Sequence, residues 1–174
     1  MGAPLRQSGP PGGVTPVAVP DDVVLIRSVA LVVWCGAVTV FPAGFEFTLL
    51  MLFDTNRTGP PAHFALHPPE RGQMSWLEAR YADGRHRAAD LNANTPIDQP
   101  QGPHLMFQDG MAVWTEGWFR TRWWVTPLPP PGPVELTIHL NGEQPRTGTG
   151  YLDGAALADA AATAKVIWTE RSAD

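Results

Sequence analysis

Residues 114–140, Trp114 to Leu140, read WTEGWFRTRWWVTPLPPPGPVELTIHL and hold four of the seven tryptophans in the chain. On both sides of the prolines the side chains alternate between apolar and polar with a period of two, the pattern of a half-buried strand. Before the prolines, Phe119, Thr121, Trp123 and Val125 fall on one face and Trp118, Arg120, Arg122 and Trp124 on the other. Arginine interleaved with tryptophan can stack by cation–π contact. Pro127, Pro129, Pro130, Pro131 and Pro133 fix an extended, kinked backbone with few N–H donors. Beyond them Val134, Leu136, Ile138 and Leu140 alternate with Glu135, Thr137, His139 and Asn141. The stretch is expected to be the central hairpin of a β-rich domain, with the proline run as its turn.

Composition supports a β-rich reading. The chain has 174 residues, of which 44% are hydrophobic, enough to bury a core. Its 19 prolines and 17 glycines amount to about one residue in five, which favours turns and short strands over a helical bundle. Net charge is −5, from 17 acidic and 12 basic side chains. Nucleic-acid binders need a basic excess to neutralise phosphates, so none is expected as a partner. The single cysteine, Cys35, sits in an apolar run and reads as a buried structural thiol in a reducing, cytoplasmic setting.

Residues 1–20 are dense in proline and glycine and lack the basic and apolar regions of a signal peptide. A flexible arm is expected there, joining the sheet over Val14–Val19. Asp21–Phe53 is the most apolar segment, but the uncharged run Val29–Phe41 has only 13 residues, short of the roughly 20 that a spanning helix needs. No membrane association is expected. Three strands are, at Val23–Arg27, Ala30–Phe41 and Phe45–Phe53, with Pro42-Ala43-Gly44 as a turn. The second is apolar on both faces, as in a strand covered on both sides. In the third, Phe45, Phe47, Leu49, Met51 and Phe53 share a core face.

His63 and His67 stand four apart, a spacing that on a helix places two metal ligands on one face. Prolines on both sides, and the lack of a glutamate after the first histidine, leave them weak metal candidates. No cofactor is expected. Met74–Leu91 reads as a hairpin about Asp83-Gly84, its basic tip charged against edge pairing. Leu105–Gln108 reads as a short strand ended by a turn at Asp109-Gly110. Asp153 has the character of an N-cap, and Gly154–Trp168 that of a helix, with Leu157, Ala160, Ala161, Ala164, Ile167 and Trp168 on its apolar face.

These elements predict a mainly β fold. It is a single-domain antiparallel β-sandwich of about 7–9 strands over residues 21–170, with one C-terminal α-helix at about 154–168 packed on it.

Four pieces of the chain resemble a group of small bacterial proteins of the actinobacterial type. They are Gly44–Thr48, Tyr81–Arg85, the WxxPLPPPGP motif of Trp124–Pro133, and Leu152–Ala156. In matching order they span most of the chain from about residue 22 to residue 168. The group has no assigned activity, so the resemblance implies a shared fold and supplies no catalytic residues. Many such relatives are richer in glycine where this chain has Gln108–Thr115.

His104 with Asp109, or His139 with Glu135, could supply parts of an acid–base set, but none has motif spacing, and no phosphate loop or nucleophile elbow is present. The function expected is a non-catalytic structural or protein-interaction module. Its contact surface would combine Trp118, Arg120, Arg122 and Trp124 with Arg80 and Arg85, and its partner would be another protein or a second copy of itself. A small-ligand or carbohydrate-binding module, or a metal-dependent enzyme using the loop histidines, remain the alternatives.

Overall fold

The computed structural model describes residues 9–56, 75–91, 102–113, 116–141 and 145–167. His63 and His67, the start of the first hairpin at Met74, Trp114, and the chain beyond residue 167 lie outside them. The fold is mainly β, with two antiparallel sheets facing each other and one helix. The strands are β1 (Val14–Thr15), β2 (Val17–Val19), β3 (Val23–Arg27), β4 (Leu31–Phe41), β5 (Gly44–Phe53), β6 (Trp76–Arg80), β7 (His86–Asp90), β8 (His104–Val113), β9 (Trp118–Thr126), β10 (Pro133–Leu140), β11 (Arg146–Asp153) and β12 (Lys165–Val166). The helix, α1, spans Gly154–Thr163. One sheet runs β2-β4-β5-β9-β8 with β3 also paired to β4, the other runs β11-β10-β6-β7, and β1 pairs with β12. The described strands exceed the expected 7–9 largely because β1, β2 and β12 are two- or three-residue edge pieces.

Alternation builds the core. In β5, Phe45, Phe47, Leu49 and Met51 are buried while Glu46, Thr48 and Leu50 are half-buried on the opposite face. They meet Leu77 and Ala79 of β6, Val134, Leu136 and Ile138 of β10, and Leu152 of β11 in one apolar cluster. From β9 the cluster takes Trp123 and Val125. The Trp123 indole N–H donates to Thr121 Oγ1 at 2.9 Å, so this buried polar group is satisfied. Cys35 belongs to the same cluster as a free, buried thiol. Its pKa is pushed up, first by burial and then by Asp21 and Asp22, which disfavours the thiolate form.

The proline stretch is not the turn of a hairpin. Strand β9 is flanked by β5 on one side and β8 on the other, so neither of its edges is free to receive β10. Residues 127–132 instead carry the chain across to the second sheet, where β10 pairs with β6 and β11. The crossing is anchored at both ends. Tyr81 Oη donates to the Pro127 carbonyl at 2.5 Å, and the Gly154 N–H donates to the Gly132 carbonyl at 2.9 Å. Gly132 has φ 123°, a backbone conformation that a side chain disfavours.

Two further expectations change. Asp109-Gly110 is no turn, because β8 continues to Val113 through an irregularity in its pairing with β9 between Phe107 and Asp109, a β-bulge. The helix stops at Thr163 rather than residue 168. Ala164 is extended, and Lys165–Val166 leave to pair with Val14–Thr15. β-branched Val166 and Ile167 suit that extended exit. The helix start is as read, with Asp153 Oδ1 accepting from the Ala155 N–H at 2.9 Å. Leu157 enters the core, and α1 lies against β2, β4 and β10.

Candidate functional site

The six-stranded sheet turns a second face away from the core, and register fixes which side chains share it. In one row Val24, Trp34, Leu50, Arg120 and Met111 lie across β3, β4, β5, β9 and β8. In the next, Arg27, Val32, Leu52 and Trp118 are aligned. A third row places Gly36, Thr48, Arg122 and Asp109 side by side. Val24, Leu52 and Met111 are three of the six exposed large hydrophobic residues among those described. Trp34, Leu50 and Trp118 are half-buried. The Trp118 indole N–H donates to Glu116 Oε2 at 3.0 Å, which holds the ring at the rim of the face.

The charged half is organised by Arg122. Its guanidinium donates to Asp109 and lies 3.5 Å from Glu46. Burial raises the Glu46 pKa above the ordinary glutamate value, Arg122 opposes the rise and Asp109 adds to it. Arg122, Arg120, Glu46, Asp109, Thr39, Thr48 and Ala37 line a depression of about 280 Å³. Its floor is shaped by a bulge in β4 between Gly36 and Thr39, where Ala37 has φ 50°. Arg120, exposed like Arg122, differs from it in having no ion-pair partner among the described residues.

The surface expected from sequence is therefore rearranged. Trp118, Arg120 and Arg122 share the outer face, but Trp124 does not serve it. Its side chain is fully buried, edge-on to Phe41 with ring centroids 5.5 Å apart and packed against the backbone of Gly44. Its indole N–H has no hydrogen-bond partner among the described residues. Arg80 and Arg85 belong to the β6–β7 hairpin of the other sheet. Arg80 is held by Glu78 at 2.8 Å and lies 3.8 Å from Glu135. Arg85 pairs with Asp83 at 2.7 Å and sits over the Tyr81 ring. At Asp83 desolvation raises the pKa, but hydrogen bonds from the Arg85 N–H and guanidinium together with the Arg85 charge outweigh it and hold the carboxyl below its usual range. Both arginines are neutralised within their own hairpin.

The loose acid–base parts do not assemble. His139 stacks on Trp76 with centroids 4.4 Å apart and meets Thr147 Oγ1 at 3.2 Å, while Glu135 lies by Arg80. Asp109 is engaged by Arg122. Among the described residues no three His, Cys, Asp or Glu side chains gather as metal ligands, and no helix is long and apolar enough to cross a membrane. The sequence reading missed Trp34, Leu50, Leu52 and Met111. Their alternation was visible, but only strand order places them around Arg120. No protein-family model, curated protein or solved structure matches the chain.

Proposed function

We propose that this protein is a non-catalytic interaction module that engages another protein surface through the outer face of its six-stranded sheet. The observation that carries this reading is Arg120: an exposed guanidinium without an ion pair among the described residues, framed by Trp34, Leu50, Leu52, Met111 and Trp118. Arginine and tryptophan are the residues most often found at binding hot spots, and a contiguous apolar patch on a sheet face is a usual mark of a contact site. Arg120 would meet a carboxylate on the partner while the apolar frame excludes water from that pair. The proposed setting is the bacterial cytoplasm, supported by the free, buried Cys35.

The test is capture of partners on the immobilised full-length chain, compared with the Trp118→Ala and Arg120→Glu variants. Truncating a hot-spot tryptophan costs about 2 kcal/mol or more, so bound partner should fall at least about tenfold in each. Undiminished capture by both variants, with circular dichroism unchanged, would remove this face from the account. The depression beside Arg120 favours a second reading, a small polar ligand such as a sugar held by Thr39, Thr48, Glu46 and Asp109. Saturable binding in a glycan panel, abolished by Asp109→Ala, would put that reading first.

A further inference from the structure

Resting on that reading, we infer that the partner on this face is a second copy of the same chain. The face carries both signs of charge in separated positions. Arg120 stands on β9 without an ion pair among the described residues. Asp22 precedes β3, three strands from β9, and its Oδ1 lies over Gly36 of β4, where a Cβ would collide with it. Asp22 is exposed and also has no hydrogen bond or ion pair among the described residues. Beside Gly36 on this face, Trp34 of β4 and Leu50 of β5 lead in register to Arg120.

A symmetric dimer interface must be complementary to itself, so that residue i meets residue j and j meets i. A two-fold axis lying along the face between Asp22 and Arg120 satisfies this. It sets each Arg120 against the other copy's Asp22 and stacks the two Trp34–Leu50 rows. The remaining charges tolerate it: Arg122 is already matched by Glu46 and Asp109, Arg27 lies in the Leu52–Trp118 row, and Glu116 accepts the Trp118 N–H at the rim. The chain as a whole carries a net charge of −5, so two copies repel at long range. Association is therefore expected through a locally balanced face such as this one.

Sedimentation equilibrium of the full chain across a wide concentration range tests the inference. Wild type should show reversible monomer–dimer behaviour. Arg120→Glu creates two Glu–Asp clashes in the homodimer and Asp22→Arg creates two Arg–Arg clashes, so each should weaken dimerisation at least about tenfold. An equimolar mixture of these two variants places opposite charges at both contacts and should restore a heterodimer of about wild-type affinity. A dimer that persists equally in both single variants, or a mixture that stays monomeric, overturns the inference. Wild type that remains monomeric throughout also overturns it. In that case, capture of a foreign partner that still depends on Trp118 and Arg120 leaves the interaction reading standing, and capture that ignores them removes both.

Discussion

Arg122 sits between two carboxylates, Glu46 and Asp109. Burial lifts Glu46 above its ordinary pKa despite the nearby guanidinium. An acid whose pKa is higher folded than unfolded binds its proton more tightly in the native state, so stability falls as pH rises between the two values and the penalty is complete above the folded pKa. Carboxyl-detected NMR should place the Glu46 midpoint above that of an exposed glutamate. In Arg122→Gln the midpoint should rise further, because the group that opposes the rise is gone; a fall would show that burial is not the cause. Tyr81 makes the second residue-scale claim. Its hydroxyl is the donor to the Pro127 carbonyl at the sheet-to-sheet crossing, and a typical hydrogen bond contributes about 1 kcal/mol. Tyr81→Phe should lower the free energy of unfolding by that amount, seen as a fall in the urea midpoint with an unchanged slope. These partners were beyond sequence reading, because Tyr81 and Pro127 are 46 residues apart and no local pattern records that distance.

Among the elements, β3 and β11 make a close backbone contact. Gly148 and Gly150 turn toward β3, and a Cβ at Gly148 would overlap the Leu25 carbonyl. Backbone cannot yield as a side-chain tip does, so Gly148→Ala should destabilise the fold by about 1–3 kcal/mol, the usual cost of overpacking, measured by denaturant unfolding. The helix start is less critical: Asp153→Ala loses the cap on the Ala155 N–H and should cost about 1 kcal/mol. Strands β4, β5, β9 and β10 and the Asp83-Gly84 hairpin were legible because burial imposes a period of two and turns impose their own residues. Asp109-Gly110 misled for a physical reason. The same dipeptide that closes a tight turn also suits a bulge, and only the register with β9 separates the two. The helix end was overestimated because alanine-rich spacing continued past Thr163, while pairing with β1 drew Lys165–Val166 into extended structure.

For the whole molecule, the WTEGWFRTRWWVTPLPPPGPVELTIHL stretch contributes one strand to each sheet, and the proline segment between them carries the chain across the sandwich. The alternation of Trp118–Val125 was readable as two faces, yet it could not say that β9 is hemmed in by β5 and β8, nor that Trp124 is buried against Phe41 while Trp118 is not. Arg80 and Arg85 were grouped with Arg120 by charge alone, and the topology assigns them to the opposite sheet. The interaction face is a product of strand order, so Trp34, Leu50 and Met111 gain meaning only beside Arg120. Hydroxyl-radical footprinting of the full chain, dilute against concentrated, reads that face directly. Oxidation of Trp34, Met111 and Trp118 should fall with concentration while Tyr151, 57% exposed on the other sheet, stays constant; protection of Tyr151 with Met111 and Trp118 unchanged would contradict the account.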